Sequence, residues 1–308
     1  MEAAALDAVA FSHIIIDDLR LADGREHRGL LGGAGTYAVA GMRLVSGNVG
    51  IRCGVGADFA DSHERWFTAN EIDISGLEIR GAQTPRSWVV YQREDERTEQ
   101  PQFGMEHFAK MAPRVLDLPP SLRQAHGWYI FCDADEAFWR EAFASRDPSR
   151  TSLLWELHEG AAQASHWPAV ARILKQVELV SLNRAEGRHL CGVAEPTAIL
   201  ERLLETGVGA VALRLGAEGA LVASSREGWL IPAYPTQLQD PTGAGNAFSG
   251  AWLAGRAGGA EPLAAACGAA AAASFMIEQF GPPRNLLNKR STWQQRRDWL
   301  QERAIVLH

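Results

Sequence analysis

Short apolar runs recur along the chain, separated by longer polar or amphipathic stretches. The run AVAFSHIIIDD predicts a first strand ending at about Ile16, and the glycine-rich LLGGAGTYA leads into a helix from about Thr36. Further strands are predicted by VGIRCGVGAD, WVVYQRE, HGWYIFCD, SLLWEL, VELVSLN, AVALRLG and GALVASS. Strands that alternate with helices are typical of an open, mostly parallel sheet flanked by helices. We therefore predict an α/β fold.

Polar residues or glycines stand directly after several of these runs. In an open parallel sheet, ligands bind beyond the carboxyl ends of the strands. The predicted site therefore comprises the residues that follow the strands, namely Asp17, Asn183, Gly216 and the stretch DPTGAGNAFSG from Asp240 to Gly250.

The last part of the chain predicts a terminal helix. The segment STWQQRRDWLQERAIVL opens with a Ser/Thr cap, and Trp293, Trp299 and Leu300 are expected to pack it against the body. The apolar tract from Ala264 to Ile277 is too short and too rich in alanine to span a bilayer. No internal repeat or low-complexity linker interrupts the chain, so we expect a single domain over residues 1–308.

Composition excludes some classes of protein. The chain has 308 residues and a formal net charge of -7, which argues against a general nucleic-acid binder, because such a protein needs a basic face to neutralise phosphates. Four widely separated cysteines, with no zinc-like spacing, indicate reduced thiols. No apolar core of a signal peptide forms near the N-terminus. We expect a cytoplasmic protein with no membrane partner.

The glycines of the last stretch could form an anion site. Gly243 and Gly245 precede an apolar helix, and a helix N-terminus directs backbone N–H groups and a partial positive charge at one point. Such a site would stabilise a bound phosphate or a developing negative charge. A plain glycine-rich helix start is an equally good interpretation of these residues alone.

The segment SLNRAE offers a possible magnesium site. Asn183 and Glu186 follow an apolar strand and stand three residues apart, which places an amide and a carboxylate on one face of a helix. Oxygen ligands of this kind suit a hydrated Mg²⁺ ion near phosphates. Taken alone, the pair is better explained as a helix N-cap, with Asn183 capping and Glu186 completing a capping box.

Two further glycine-rich segments are weak signals alone. LRLGAEGA predicts a hairpin-like connection through Gly216 and Gly219, and Gly32 and Gly33 permit a close approach to a ligand, a hinge, or a tight strand-to-helix turn. The GxGxxG dinucleotide fingerprint and the GxxxxGK[ST] P-loop are both absent.

The order of these motifs is more specific than any one of them. An early acid, then GG.G, N..E, LG..G and D.TGAG.AF resembles the PfkB/ribokinase family of small-molecule kinases, from about Ala8 to Gly281. The segments IIIDD, TPRSWVVY, LLWE and AAASFMIEQFGPP are similar to a divergent branch best known from fungi, the killer-virus-maintenance type.

The resemblance implies a ribokinase-like α/β core with a small β lid from segments of about 17–32 and 84–103, through which a homodimer could form. It implies ATP and Mg²⁺ as cofactors and, in some members, a monovalent cation such as K⁺ near Asp240. Trp88 and Tyr91 would either pack the lid or contact a small-molecule substrate. The resemblance implies substrate binding by Asp17, with Asp18 as second candidate, and by Gly32, Gly33 and Tyr37. It implies nucleotide or metal binding by Asn183, Glu186, Arg214, Gly216, Gly219, Asp240 and Thr242. It implies an anion hole formed by Gly243, Ala244 and Gly245.

The sequence departs from the family pattern at two of these positions. Tyr37 stands where many members have a substrate-binding asparagine, which points away from plain ribose. Asn246 stands where the family has the aspartate that takes the proton from the substrate hydroxyl. An amide cannot accept that proton at neutral pH, although it can orient the hydroxyl, and the general base typically contributes about 10²–10⁴-fold. Asn246 fits a branch with different chemistry, a ligand-binding pseudoenzyme or an introduced Asp→Asn change.

Three functional hypotheses follow. The first is an ATP-dependent kinase of a hydroxyl, expected to be a hydroxymethyl group, on a sugar- or nucleoside-like molecule. The second is a non-catalytic or catalytically weak binding protein on the same fold, favoured by the changes at Tyr37 and Asn246. The third, an α/β oxidoreductase, is poorly supported because the dinucleotide fingerprint is absent.

Overall fold

The computed structural model describes residues 5–92 and 97–307, except for the side chain of Arg97. Two sheets form in this part of the chain. The strands are β1 (Ala8–Phe11), β2 (Ile15–Arg20), β3 (Glu26–Gly32), β4 (Val49–Gly56), β5 (Ile72–Gly81), β6 (Arg86–Tyr91), β7 (Arg97–Pro101), β8 (Gly127–Cys132), β9 (Ser152–Leu157), β10 (Leu179–Asn183), β11 (Ala210–Arg214), β12 (Ala220–Ser224), β13 (Gly228–Ile231) and β14 (Ile305–Val306).

The large sheet has ten strands in the order β14-β13-β12-β11-β10-β9-β8-β1-β4-β5. Every neighbouring pair from β5 to β11 is parallel, and β12, β13 and β14 extend the sheet in antiparallel fashion. The predicted hairpin-like connection is confirmed, because β11 and β12 pair antiparallel, with Arg214 opposite Ala220. The predicted open, mostly parallel α/β sheet is likewise confirmed.

Helices cover both faces of the large sheet. They are α1 (Ala34–Val45), α2 (Asp61–Ala69), α3 (Gly104–Lys110), α4 (Pro120–Arg123), α5 (Glu136–Ser145), α6 (Trp167–Leu174), α7 (Arg184–Cys191), α8 (Pro196–Leu204), α9 (Ala244–Ala257), α10 (Pro262–Met276) and α11 (Arg290–Gln301). One core cluster packs α1, α9, α10 and α11 against the sheet, and a second packs α5 to α8 on the other face. Among these helices, none is long and apolar enough to cross a membrane.

The first apolar run forms two strands rather than the single strand that the sequence predicted. β1 ends at Phe11 and β2 begins at Ile15, and the two strands belong to different sheets. The carbonyl of His13, between them, accepts a hydrogen bond from Gly35 N at 3.0 Å. The chain therefore leaves the large sheet between Phe11 and Ile15, and the bond from Gly35 ties this connection to α1.

The predicted cap of the terminal helix is also wrong. A 3₁₀ turn, Leu287–Lys289, continues directly into α11, so Ser291 already lies inside the helix and Lys289 is the N-cap, without a side-chain cap bond. The predicted packing is confirmed: Trp293 and Leu300 are buried, and the partly buried Trp299 packs against the same core cluster.

A small sheet with the strand order β3-β2-β6-β7 lies apart from the large one. β3, β6 and β7 fall within the two segments expected to form a lid, whereas β2 begins two residues before the first segment. Residues 93–96 of the second segment lie outside the described part of the chain. β2 pairs antiparallel with β3 and parallel with β6. Gly32 and Gly33 join β3 to α1, and Gly33 has a left-handed φ of 88°. The role of this sheet as a lid stays a prediction.

Helices α1 and α9 approach each other closely through reciprocal glycines. A Cβ at Gly41 would collide with the backbone of Ala247, and a Cβ at Gly250 would collide with the backbone of Ala38. Glycine inside a helix costs about 1 kcal/mol relative to alanine, so these positions are explained by the close contact. The contact fixes the N-terminus of α9 relative to α1.

We expect Gly250→Ala to destabilise the protein although alanine is the better helix former. The added Cβ would force α1 and α9 apart, and overpacking of this kind costs about 1–3 kcal/mol in the free energy of unfolding. Urea denaturation would measure the loss. The matched control is Gly47→Ala, at an exposed glycine whose added Cβ would meet no atom within 4 Å. Increased stability of Gly250→Ala would contradict the close contact.

Candidate active site

The N-terminus of α9 is the centre of the candidate site. Gly243 is its N-cap and has a left-handed φ of 77°. The ring of Tyr37, from α1, packs so closely against Gly243 that a Cβ there would collide with it. Glycine is therefore required at position 243 for two reasons: the left-handed backbone conformation and the lack of space for a Cβ beside the Tyr37 ring. The first N–H groups of a helix have no partner within the helix and attract anions.

Arg214 adds a positive charge to this helix end. It is the last residue of β11, and its guanidinium lies against Gly245, where any Cβ would collide with it. The helix dipole and the guanidinium therefore act in the same direction. Together with Gly243, Ala244 and Gly245 they form a cationic site at the carboxyl edge of the sheet.

A buried carboxylate holds Arg214 in place. Glu156, near the end of β9, is 2% exposed and forms an ion pair with Arg214 Nη1. Tyr129, from β8, donates its hydroxyl proton to Glu156 Oε2 at 2.8 Å. Asn246 Nδ2 donates to Glu156 Oε1 at 3.1 Å and to the Tyr129 hydroxyl oxygen at 3.2 Å. Four polar side chains from three strands and α9 thus form one network, the Glu156 network.

Burial and charge set the protonation states in and beside the Glu156 network. Burial, followed by the negative charge of Glu156, raises the pKa of Tyr129 well above its usual value, so the phenol stays protonated. Burial lowers the pKa of Arg214, but Glu156 and Glu186 outweigh it, and the net shift is upward. Burial also raises the pKa of Glu186, with opposition from Arg214.

Asn183 and Glu186 form the capping box that was one of the two interpretations of their spacing. Asn183 Oδ1 accepts from Glu186 N at 2.9 Å, and Glu186 Oε2 accepts from Asn183 N at 2.7 Å. The same Oε2 lies 3.8 Å from Arg214 Nη2. Glu186 therefore caps α7 and also lies beside the cationic site. Among the described residues, no group of three or more His, Cys, Asp or Glu residues is arranged to hold a metal ion.

The loop between β11 and β12 needs both of its glycines. Gly216 has a φ of 65° and Gly219 a φ of 102°, in the range that favours glycine. A Cβ at Gly219 would collide with the Ile231 carbonyl of β13. The loop directly follows Arg214, so the predicted nucleotide glycines lie next to the cationic site.

The two acids of the small sheet have different surroundings. Asp17 is 6% exposed, and its carboxyl group fills the space beside Gly32 where a Cβ would lie. Asp18 Oδ1 accepts from Gly29 N at 2.8 Å, and its Oδ2 accepts from Gln102 Nε2 at 3.0 Å. Both oxygens of Asp18 thus accept hydrogen bonds from residues in or next to the small sheet.

Asp240 connects the small sheet to the start of α9. Its Oδ1 accepts hydrogen bonds from the Tyr91 hydroxyl at 2.6 Å, from Thr242 N at 2.8 Å and from Thr242 Oγ1 at 2.5 Å. Tyr91 belongs to β6 of the small sheet. The contact therefore joins the small sheet to the loop that shapes the anion site.

The geometry places Arg214 and a glycine loop beside the N-terminus of α9, and Tyr91 and Asp240 connect the small sheet to the start of that helix. A model of the pfkB family of carbohydrate kinases matches residues 3–288. The chain belongs to this family. The prediction drawn from the order of the motifs is confirmed.

Two sequence relatives and one solved structure are similar to most of this chain. The Cytidine kinase of Thermococcus kodakarensis is 27% identical over 271 residues, which are 81% of this chain and 88% of that protein. Protein MAK32 of Saccharomyces cerevisiae is 26% identical over 318 residues, 88% of this chain and 84% of that protein, in keeping with the expected likeness to a fungal branch. An Escherichia coli protein described as Ribokinase II, solved with ATP and Mg²⁺, matches with a TM-score of 0.76 at 19% identity, over 94% of this chain and 99% of that one, and shows the ribokinase-like fold.

Sequence reasoning missed two members of this pfkB-family site. Glu156 and Tyr129 end or lie within apolar runs that were interpreted only as strands. The available signal was a carboxylate inside the otherwise apolar run SLLWEL, since an isolated buried acid needs a partner. That partner, Arg214, is 58 residues away along the chain, so sequence spacing could not reveal the pair.

We expect Tyr91→Phe to lower the free energy of unfolding by about 1.5–3 kcal/mol, because a hydrogen bond to a charged group is lost. Urea denaturation measures this change. Tyr234→Phe is the matched control, since the Tyr234 hydroxyl makes no hydrogen bond within the described part of the chain while its ring contacts Trp299. Equal effects of the two substitutions would show that the contact with Asp240 contributes nothing.

Proposed function

We propose that this pfkB-family protein is an ATP-dependent kinase that transfers the γ-phosphoryl group to a hydroxymethyl group of a sugar- or nucleoside-like molecule. The observation that carries the proposal is the cationic site at the N-terminus of α9, where Gly243–Gly245 and Arg214 converge. Phosphoryl transfer depends mainly on positioning and on stabilising charge, and this site supplies both.

The chain offers a place for each reactant. Mg-ATP would lie over the loop of Gly216 and Gly219, with Thr242 and Asn183 beside the phosphates. The acceptor would be held by Asp17 and Gly33, and the transferring phosphoryl group would rest on Gly243, Ala244 and Gly245. Arg214 would neutralise charge that develops on the phosphoryl oxygens, because its guanidinium already lies against Gly245.

The cation sites are part of the proposal. Glu186 Oε2 is used in the capping box, so Oε1 is the atom that would hold Mg²⁺ through bound water, where the ion would neutralise the triphosphate. Asp240 Oδ1 already accepts three hydrogen bonds. A monovalent cation such as K⁺ near Asp240 would therefore have to rely mainly on nearby backbone oxygens.

The acceptor is proposed to be a nucleoside or a sugar other than plain ribose. Tyr37 is buried, and its ring packs against Gly243, so the pocket wall is aromatic where many family members carry an amide. The relation to the Cytidine kinase of Thermococcus kodakarensis supports a nucleoside-like acceptor.

We further propose a cytoplasmic protein and a homodimer formed through the small sheet as a lid. β3 and β7 are the edge strands of that sheet. Their backbone groups are the natural place for pairing with a second copy.

A binding protein without catalysis is the second candidate. Asn246 holds the position of the family's catalytic aspartate, and its Nδ2 is committed to Glu156 and Tyr129. A simple amide there supplies no base. This candidate requires Mg-ATP or acceptor binding without turnover.

The deciding experiment measures ADP release from Mg-ATP with a panel of nucleosides, sugars and small alcohols. We expect turnover that depends on one acceptor class, and Asn246→Asp is assayed beside the native protein. If neither protein releases ADP although Mg-ATP still binds, the result would favour the binding-protein candidate.

We expect Asp17→Asn to lower kcat/KM for the acceptor by about 10- to 100-fold, since it loses a charged hydrogen-bond acceptor. The KM for ATP should change much less. Asp23→Asn is the control, because Asp23 is exposed in the turn between β2 and β3, where it pairs with Arg25. Equal kinetics for Asp17→Asn and Asp23→Asn would remove Asp17 from the site.

A further inference from the structure

The amide of Asn246 has a defined orientation. Its Nδ2 donates to two acceptors, Glu156 Oε1 at 3.1 Å and the Tyr129 hydroxyl oxygen at 3.2 Å. Tyr129 acts as an acceptor here because its own proton is donated to Glu156 Oε2. The amide cannot be flipped, since a flip would set its oxygen against the carboxylate.

This orientation leaves one atom of Asn246 for a ligand. Glu156 and Tyr129 are buried beneath the amide, and Asn246 itself is half-buried at the first turn of α9. Oδ1 accepts no hydrogen bond within the described part of the chain, and it is not among the fully buried atoms that lack a partner. A ligand hydroxyl can therefore donate to Oδ1 while Nδ2 donates to Glu156.

Resting on the proposed function, we propose that Glu156 is the terminal proton acceptor of phosphoryl transfer and that Asn246 relays the proton to it. Glu156 is a positioning and proton-storing residue that acts through the amide. An aspartate at position 246 would carry the negative charge itself. In this protein the charge is carried by Glu156 of β9, which is hydrogen-bonded to the Asn246 amide.

The step balances as follows in atoms and charge. The acceptor oxygen forms a bond to the γ-phosphorus, the bond from that phosphorus to the β,γ-bridging oxygen breaks, and its electron pair stays on ADP. The hydroxyl proton passes to Asn246 Oδ1 while an Nδ2 proton passes to Glu156 Oε1, which leaves a neutral imidic acid and a neutral carboxyl. After product release, Oδ1 loses its proton to water and Glu156 returns its proton to the nitrogen.

Proton uptake by Glu156 also affects Arg214. In the resting protein the guanidinium is paired with the Glu156 carboxylate. When that carboxylate becomes neutral, the positive charge beside Gly245 is no longer compensated by it. The relay therefore makes Arg214 available to the transferring phosphoryl group at the moment when the attacking hydroxyl loses its proton.

The charged and titratable groups around Glu156 come from several elements. They are Arg214 of β11, Tyr129 of β8 and, across Arg214, Glu186 of α7; Ser249 and Asn246 of α9 are the uncharged neighbours. His158, two residues further along the chain, is exposed and pairs with Asp133. A pH profile must therefore be compared between variants that differ only at positions 156 and 246.

The test exchanges the carboxylate and the amide between two positions. Native protein, Glu156→Gln, Asn246→Asp and the double variant Glu156→Gln/Asn246→Asp are assayed for ADP release with the best acceptor. We expect Glu156→Gln to lower kcat by about 10²–10³-fold, with both KM values within about threefold. The double variant, which holds the carboxylate at position 246, should recover kcat to within about tenfold of the native protein.

The single variant Asn246→Asp supplies the pH readout. It sets two carboxylates at hydrogen-bond distance, and such a pair shares a proton. The acid limb of its kcat profile should therefore lie at least about one pH unit above that of the double variant. The same upward shift is expected relative to the native protein. That second comparison keeps Glu156 and its pair with Arg214 in both proteins, so it remains decisive even when the variants with Glu156→Gln fail to fold.

Glu178→Gln is the matched control for loss of a carboxylate. Glu178 forms a 2.7 Å ion pair with Arg146 at the opposite, amino-terminal end of β10. Its kcat should equal that of the native protein. The thermal melting temperature of every variant shows whether a low kcat results from unfolding or from loss of the chemical step.

Several outcomes overturn the relay. One is an unchanged kcat in Glu156→Gln. Another is a folded double variant that is as inactive as folded Glu156→Gln. A third is a pH profile of Asn246→Asp that is identical to that of the double variant or of the native protein. Turnover by the two variants that carry Asn246→Asp, but not by the native protein, would leave the kinase function standing and remove the relay. If none of the proteins releases ADP or binds Mg-ATP, the proposed function itself would be overturned.

Discussion

The ion pair between Arg214 and Glu156 is the interaction on which the rest of the site depends. Both side chains are largely removed from water, with 13% and 3% of their side-chain surface exposed. Desolvation of two charges is expensive, and a buried pair contributes little or nothing to net stability when compared with apolar residues. Its presence is better explained by what it organises: the guanidinium beneath Gly245 and the orientation of the Asn246 amide.

Helix packing on the other side of the site complements this pair. The reciprocal glycines Gly41 and Gly250 hold α1 against α9, and this contact brings the Tyr37 ring onto Gly243. Backbone sterics thus place the N-terminus of α9 from one side, while the Glu156 network places it from the other. The N-terminus of α9 is consequently held in place from both sides without a ligand.

Much of the fold was predictable, because each strand is a local pattern. The apolar runs gave the parallel sheet, and the glycines at Gly243, Gly216 and Gly219 gave the loops at its carboxyl edge. Contacts between distant residues were not predictable. The turn at His13 depends on Gly35 of α1, and the role of Glu156 depends on Arg214 and Asn246, neither of which lies near it in sequence. The spacing of Asn183 and Glu186 left a helix cap and a magnesium site open, and the structure shows a complete capping box in which Glu186 Oε2 lies 3.8 Å from Arg214 Nη2.

The two supports of the proposed acceptor belong to different layers of the molecule. Asp17 is carried by the small sheet, whereas Asn246 is carried by α9 on the body, and Gly32 and Gly33 form one of the joints between these layers. Under the proposed function an acceptor must be long enough to touch both supports. Water is too small to do so. Under that proposal, the division into two layers would select acceptors by their length and would disfavour transfer of the phosphoryl group to water.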